Sequence, residues 1–415
     1  MTLKCSVNNQ GFPIPATSNT DRTWRTIRSR IAKALILQYN IRKLNLRSRI
    51  RGIGNGMIWS TPFSAILLTG SQKVKPADTK NVLDESSRCQ WQPEKRLELT
   101  HGGMSMKRTK YPIHPDFKKW AHMNPPLNRA ILPAMQRLMS LLFTGERSTA
   151  DMTVERKELP AGNGDTVRAL WYCPKDVGEN APCLVYYHGG GFVIPAAPYH
   201  YSLAREYAQR ANCKVLFVDY RLAPKFPFPI APEDCFAAYC WAVRNAVELS
   251  IDPGRIAVAG DSAGGQLATV VCLMAKELGQ TMPCGQMLIY PAAGNVETES
   301  ARKYTDTPMC NSRDMEKYGK LYRPDPSAGK NEYASPIEAE SLEGLPPAYI
   351  ETAEFDCLRD GGILYAERLR EFGVPTELRN TEGTMHGFDI VLDSPIVRNC
   401  VDKRIAFLKK VLKNQ

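Results

Sequence analysis

The sequence of 415 residues predicts an α/β protein with a mostly parallel central sheet and helices on both faces. Short runs rich in Val, Ile, Leu and Tyr alternate along the chain with longer segments whose apolar residues recur at helical spacing. Most of the short runs are continuously apolar, which is typical of strands buried on both faces. Such alternation indicates a parallel sheet built from strand–helix–strand units.

The strands and helices are predicted in the following order. The first two strands, Met152 to Leu159 and Thr166 to Tyr172, flank the turn sequence Ala161-Gly162-Asn163-Gly164-Asp165 and should form a hairpin. The later strands are Cys183 to Tyr187, Lys214 to Asp219, Arg255 to Ala259, Gly285 to Tyr290, Ala348 to Thr352 and Thr376 to Asn380. The helices between and after them are Tyr199 to Ala211, Pro232 to Ser250, Leu267 to Leu278, Gly361 to Phe372 and Ile396 to Leu412.

Residues 1–103 differ from the rest of the chain. They hold 17 Lys and Arg against 6 Asp and Glu, so the whole net charge of +11 lies there and the remainder is neutral by count. Three interpretations remain open: a poorly ordered basic extension, a translation start assigned too early with Met104 or Met106 as the true start, and a basic amphipathic helix within Arg22 to Arg51 that touches a membrane or RNA. The rest of the chain is neutral by count, so it has no excess of basic residues that would favour nucleic acid.

Cysteine and histidine usage argues against a disulfide framework and a histidine metal site. The 12 cysteines are scattered without a Cys-x-x-Cys pair, and three of the six histidines lie beyond residue 125. The N-terminus lacks a signal pattern, and the apolar run near Met57 to Leu68 is too short to span a bilayer. We therefore expect a cytoplasmic protein with reduced thiols, no metal and no other cofactor.

A serine lies between two glycines where a strand passes directly into a helix. The stretch Gly260-Asp261-Ser262-Ala263-Gly264 follows the apolar run that begins at Arg255. So sharp a turn strains the serine backbone and tolerates only very small residues two positions away. It lifts the hydroxyl of Ser262 off the sheet edge and leaves the Ala263 N–H at a helix N-terminus, where negative charge is stabilised. A glycine-rich turn without chemistry would look similar, so other signals must support a nucleophile.

The second signal is His188-Gly189-Gly190-Gly191-Phe192, directly after a predicted strand. Consecutive glycines let backbone N–H groups approach a substrate oxygen without a side chain in the way. Together with the Ala263 N–H they would form an oxyanion hole.

A serine nucleophile needs a base and an acid that orients it. His386 follows the last predicted strand, on a loop, and is the candidate base, whereas His200 begins a helix and looks structural. Asp356 follows a strand by a short loop at the carboxyl edge of the sheet and is the preferred acid. Asp360 is better placed to cap the next helix, and Glu354 is less well placed. The order Ser262, Asp356, His386 is that of α/β-hydrolases.

From about Tyr111 onward, the chain resembles the bacterial hormone-sensitive-lipase family of esterases, which are α/β-hydrolases. The resemblance rests on His188 to Gly191, Val218-Asp219-Tyr220-Arg221-Leu222-Ala223-Pro224, Gly260 to Gly265, Asp356-Cys357-Leu358-Arg359-Asp360 and His386-Gly387-Phe388. It implies that Ser262 is the nucleophile, His386 the base and Asp356 its partner, with the amides of Gly190, Gly191 and Ala263 as the hole. The remaining motif residues would support this catalytic arrangement: His188, Gly189, Gly260, Asp261 and Gly264.

The resemblance also implies a helical cap. Residues 104–150 would form its N-terminal part and residues about 294–340 an insertion that completes it, within a catalytic domain of residues 151–415. The segment 294–340 contains one predicted helix, Ser312 to Tyr322. Apolar residues expected to line a lid are Trp120, Met123, Leu138 and Leu142.

The sequence departs from the family pattern at three positions and in its first 103 residues. Lys225 stands where the family has Glu, Cys357 where it has proline, and Pro195 where a glycine is common. With Lys225 the loop would lose a supporting carboxylate pair, and Pro195 would reshape the mouth of the pocket. None of the three substitutions removes a catalytic atom.

The resemblance implies a serine carboxylesterase that acts without cofactor on short to medium acyl esters. It also implies a preference for acyl chains of about eight carbons or fewer, because a capped, bounded pocket should exclude long chains. Alternatives are a sugar-acetate deacetylase or amide hydrolase with the same chemistry, and a non-catalytic receptor, against which His386 argues. The oligomeric state stays open between monomer and homodimer.

Overall fold

The computed structural model describes residues 110–125, 127–142, 147–161, 164–294 and 296–413. Predictions for residues 1–103 lie outside this range. Within it, no helix is long and apolar enough to cross a bilayer.

The described residues form one eight-stranded sheet. Its strands are β1 (Met152–Pro160), β2 (Thr166–Pro174), β3 (Ala181–Tyr187), β4 (Lys214–Asp219), β5 (Ile251–Asp261), β6 (Gln286–Ile289), β7 (Ala348–Phe355) and β8 (Thr376–Met385). Their spatial order is β1-β2-β4-β3-β5-β6-β7-β8. β2 is antiparallel to both β1 and β4, and all other neighbours are parallel. The predicted hairpin and the mostly parallel sheet are confirmed.

The helices follow the predicted alternation. They are α1 (Leu132–Leu142), α2 (Pro198–Ala211), α3 (Ile230–Arg244), α4 (Ala263–Glu277), α5 (Glu299–Lys303), α6 (Ser312–Tyr322), α7 (Asn331–Ala334), α8 (Arg359–Glu371) and α9 (Pro395–Val411). Short 3-10 helices span Pro115–Trp120, Pro336–Glu338 and Phe388–Ile390. α3 ends six residues earlier than predicted, at Arg244, where the Asn245 N–H donates back to the carbonyls of Trp241 and Val243.

Two apolar cores cover the two faces of the sheet. Successive residues of β3 alternate between them: Leu184 and Tyr186 face one core, and Val185 and Tyr187 face the other. α2 and α9 supply the first core, whereas α3, α4 and α8 supply the second. Burial on both faces explains why the central parallel strands β3, β4 and β6 read as nearly continuous apolar runs, whereas β8 at the edge of the sheet is only partly buried and mixed in composition.

The parallel strands bring four chain segments to one edge. β3, β5, β7 and β8 run in the same direction, so the residues that follow them emerge at the same edge of the sheet. Those residues are His188 after β3, Ser262 after β5, Asp356 after β7 and His386 after β8.

Candidate active site

Ser262 lies in a strained turn between β5 and α4. Its backbone has φ 55° and ψ −118°, a left-handed conformation that few residues other than glycine adopt. A Cβ added to Gly264 would lie 2.0 Å from the Tyr187 carbonyl oxygen, and one added to Gly260 would lie 2.3 Å from the carbonyl of Gly264. The turn therefore needs glycine on both sides of the serine, as the sequence led us to expect.

Hydrogen bonds join three residues that are far apart in the chain: Ser262, His386 and Asp356. We call these three residues the triad. The His386 ring lies with Nε2 2.8 Å from Ser262 Oγ and Nδ1 2.7 Å from Asp356 Oδ2. Asp356 is fully buried, and Ser262 and His386 are each 8% exposed. The Leu358 N–H donates to Asp356 Oδ1 at 2.9 Å, which fixes the carboxylate. The structure thus joins the three predicted residues, and their roles in catalysis stay a prediction.

The two competing acids hold other positions. Asp360 lies in the first turn of α8, where it accepts from the Ser300 N–H at 2.6 Å and pairs with Arg359. The expectation that Asp360 caps α8 is wrong, because Leu358 occupies the N-cap position and Asp360 is drawn to the start of α5. Glu354 accepts from the Gly383 N–H at 2.7 Å. Within the described ranges, neither carboxylate is hydrogen-bonded to His386.

The glycine loop after β3 presents backbone N–H groups beside the serine turn. Gly190 has φ 122° and Gly191 has φ 60°, conformations that favour glycine. Among the residues that the structure describes, the N–H groups of Gly190 and Gly191 have no acceptor, whereas that of Gly189 donates to Asp261 Oδ1 at 3.0 Å. Ala263 is the first residue of α4, so its N–H has no acceptor within the helix. Three donors are thus available for a substrate oxygen.

Asp261 joins the serine turn to the glycine loop. Its carboxylate accepts from the Tyr186 hydroxyl at 2.8 Å and from the Gly189 N–H, and lies 3.1 Å from His200 Nε2. Burial favours a raised pKa for Asp261, but His200 and the Tyr186 hydroxyl outweigh it and hold that pKa below its ordinary value. His200 is therefore a structural residue that orients this carboxylate, as its place in the sequence suggested.

A buried ionic cluster supports the loop that carries His386. Arg404 on α9 is completely buried and pairs with both Glu351 on β7 and Asp389, three residues after His386. The Tyr290 hydroxyl donates to Asp389 Oδ2 at 2.8 Å, and the edge of the Tyr290 ring meets the His386 ring at a centroid distance of 4.9 Å. Sequence reasoning missed this cluster, since its members come from four separate segments and match no motif.

Segments from both parts of the predicted cap contact the loops around the triad. Gln136 on α1 donates to the carbonyl of Val193 at 2.6 Å and to that of Ala223 at 2.8 Å. The Tyr318 ring on α6 lies so close to Gly191 that a Cβ there would be 2.5 Å from it. Met309 lies next to Gly387, and its N–H donates to the Met123 carbonyl at 2.6 Å. The division into cap and catalytic domain stays a prediction, but these contacts join α1, α6 and Met309 to the loops that follow β3, β4 and β8.

One surface cleft lies apart from this chemistry. It has a volume of about 460 Å³ between α1 and the loop after β4, and Gln136, Arg168 and Pro195 are among its lining residues. None of the triad residues lines it. It is therefore not the place where an ester would meet Ser262.

Comparisons with known proteins agree with this architecture. The alpha/beta hydrolase fold family matches residues 184–390, from β3 to the loop that carries His386. A carboxylesterase of Mycobacterium tuberculosis H37Rv, NlhH, is 38% identical over 252 residues, which cover 59% of this chain and 78% of the relative. The chain belongs to the alpha/beta hydrolase fold family.

Other members of the alpha/beta hydrolase fold family show the same likeness. An ethyl acetate hydrolase of Pseudomonas putida is 32% identical over 253 residues, 60% of this chain and 79% of that protein. Among solved structures, an esterase of Pyrobaculum calidifontis superposes with a TM-score of 0.65 at 35% identity and covers 72% of this chain and 99% of its own. The predicted fold class and the resemblance to esterases of this family are confirmed.

Proposed function

We propose that this carboxylic ester hydrolase works through an acyl-enzyme formed on Ser262. The observation that carries the proposal is the position of one imidazole, 2.8 Å from the Ser262 hydroxyl on one side and 2.7 Å from the Asp356 carboxylate on the other. A serine hydroxyl is a weak nucleophile, so it needs a base within hydrogen-bonding distance. A carboxylate on the far side of the ring holds the correct tautomer and stabilises the imidazolium that forms.

The reaction proceeds in two halves. Ser262 Oγ attacks the ester carbonyl carbon while its proton passes to His386 Nε2. The bond to the alcohol oxygen then breaks, His386 returns the proton to that oxygen, and the alcohol leaves. In the second half a water attacks the acyl carbon, gives a proton to His386, and releases the carboxylic acid as Ser262 regains its hydrogen.

The negative oxygen of each tetrahedral intermediate would accept from the amides of Gly190, Gly191 and Ala263. The open N–H groups on the glycine loop and the start of α4 support this assignment. Loss of one such donor typically raises the barrier by about 3 kcal/mol.

The proposed substrates are short to medium acyl esters. Tyr318 stands next to the glycine loop and Met309 next to the His386 loop, where they would bound an apolar acyl pocket. The likeness to an ethyl acetate hydrolase, which is named for a small ester, points in the same direction. A bounded pocket excludes long chains, so activity should fall beyond acyl chains of about eight carbons.

A panel of p-nitrophenyl esters from two to sixteen carbons tests the substrate range, with an acetylated sugar and an anilide beside it. We expect the highest kcat/KM at about eight carbons or fewer. Highest turnover on the sixteen-carbon ester would contradict the bounded pocket, and faster cleavage of the sugar acetate or the anilide would move the assignment to those substrates. Ser262→Ala on the same panel separates enzymatic from background hydrolysis.

A further inference from the structure

Two cysteine thiols lie beside the acid of the triad. Cys310 Sγ is 3.7 Å from Cys357 Sγ, and these two sulfurs and a carboxylate oxygen of Asp356 all lie within 4.8 Å of one another. All three residues are buried. Cys357 directly follows Asp356, whereas Cys310 is 47 residues away along the chain.

The spacing of these atoms suits a single soft cation. Zn²⁺ binds thiolates at about 2.3 Å in tetrahedral geometry, which separates two sulfurs of one site by about 3.8 Å. The observed 3.7 Å is close to that separation. Both cysteines are free thiols, so the pair can supply two thiolates.

The carboxylate of Asp356 has capacity for a further partner. An ionised carboxylate offers about four acceptor positions. Asp356 uses one on Oδ1 for the Leu358 N–H and one on Oδ2 for the His386 ring. A cation can therefore take a third position with only small movements of the side chains.

We propose that Cys310, Cys357 and Asp356 form a binding site for a thiophilic divalent cation such as Zn²⁺, and that its occupancy inhibits hydrolysis. Both thiols lose their protons to solvent on binding, and the thiolates and the carboxylate become the three protein ligands. The cation draws on the negative charge of Asp356, which then stabilises the His386 imidazolium less. The binding claim stands alone, and the inhibition claim rests on the proposed function.

The site links the acid of the triad to a segment that borders the substrate. Cys310 immediately precedes Asn311, which caps α6, and α6 carries Tyr318 against Gly191. A cation on Cys310 would therefore contact both the acid of the triad and the segment that borders the glycine loop.

Titration of the full-length protein with Cd²⁺, in a phosphine reductant that keeps the thiols reduced, tests the binding claim. The ultraviolet absorption of cadmium–thiolate bonds reports thiolate coordination directly. We expect Cys310→Ser and Cys357→Ser each to weaken the tightest binding step by about 10-fold or more, since even partners outside the coordination sphere cost that much. Cys173→Ser, a change at a half-buried thiol on β2, should leave that step unchanged.

The inhibition claim is measured by ester hydrolysis in the same titration. In serine proteases, replacing the triad aspartate by asparagine lowers kcat by about 10⁴-fold. A cation that draws on part of the Asp356 charge should have a smaller but clear effect, so saturating Cd²⁺ or Zn²⁺ should lower kcat/KM at least about tenfold. The inhibition should be lost in Cys310→Ser and reversed by a chelator.

Ser262→Ala should bind Cd²⁺ as the unchanged protein does, so a failure of the proposed nucleophile would leave the binding result intact. An equal cadmium–thiolate signal in Cys310→Ser, Cys357→Ser and the unchanged protein would overturn the site. Tight binding without loss of activity would overturn the inhibition.

Discussion

Two buried pairs of aspartate and histidine lie near Ser262, and only one of them faces its hydroxyl. In the first, Asp356 lies 2.7 Å from His386 Nδ1; in the second, Asp261 lies 3.1 Å from His200 Nε2. Both aspartates are almost completely inaccessible to solvent. The residue types, burial and distances are therefore nearly the same.

The pairs differ in what faces the second ring nitrogen. His386 Nε2 faces the Ser262 hydroxyl at 2.8 Å. His200 Nδ1 instead accepts from the backbone N–H of Ala197 at 2.8 Å, so His200 has no nitrogen left for a reacting group. A histidine acts as a base only when one nitrogen faces the proton to be moved, whereas a histidine bonded on both sides holds structure together.

The largest expected effect is on activity and separates the two histidines directly. His386→Ala should lower kcat by about 10⁴-fold or more, because the nucleophile loses its base. His200→Ala should lower kcat by no more than about 10- to 100-fold, since it removes only an orienting contact. Steady-state kinetics on one short ester compares them, and a similar loss in both variants would erase the distinction.

The third buried histidine, His188, should govern stability in mild acid. Burial above all, and the nearby His200, lower the pKa of His188 to about 4 from an ordinary value of 6.5. In the unfolded chain His188 binds its proton below about pH 6.5, so the folded state loses about 3 kcal/mol as the pH falls from 6.5 to 4.

His188→Phe should flatten this pH dependence. Phenylalanine keeps a ring against Tyr220, which stacks on His188 at a centroid distance of 4.5 Å, but cannot take up a proton. Denaturant titrations at several pH values give the free energy of unfolding for both proteins. Parallel curves between pH 6.5 and 4 would show that another group is responsible.

The structural pair should dominate stability at neutral pH. His200→Ala removes the ring beside the Asp261 carboxylate, and a lost hydrogen bond to a buried charge costs about 2 kcal/mol. His386→Ala should change the free energy of unfolding less than that, because its ring is more exposed than that of His200, 8% against 3%, so water can enter the space it leaves and solvate Asp356. Thermal and denaturant unfolding of the two variants at pH 7 provide the comparison, and the reverse ranking would contradict it.

The smallest expected effect comes from the hydrogen bond between Tyr290 and Asp389, which supports the loop that carries His386. Tyr290→Phe keeps the ring that packs against His386 and removes only the hydrogen bond to Asp389. We expect a loss of about 1 kcal/mol in stability and less than about a threefold change in kcat. A much larger loss of kcat with unchanged KM would mean that the hydroxyl itself positions His386.

The sequence was informative wherever a local physical demand imposes a residue pattern. Buried parallel strands need continuous apolar runs, and all eight strands were predicted, although β8 extends to Met385 rather than ending at Asn380. The turn at Ser262 admits only glycine at positions 260 and 264, which made it recognisable. Asp356 could be preferred over Asp360 because the residues that follow a parallel strand lie at the edge that carries sites.

Contacts between distant segments were beyond that reasoning. Asp360 accepts from Ser300, 60 residues away, and no local pattern marks this contact. The short helices α5 and α7 are too brief to show a period. The expectation of no metal considered histidines, whereas the thiols of Cys310 and Cys357 are brought together only by the fold.

The central claim is that Ser262 becomes acylated by the ester, with His386 as its base. The most direct measurement is reaction with a fluorophosphonate, followed by mass spectrometry of the peptide that contains residue 262. We predict one phosphonyl group on Ser262 per chain, loss of activity in proportion to labelling, and no adduct in Ser262→Ala. Full activity in Ser262→Ala, or labelling of a different residue in step with inactivation, would contradict the account.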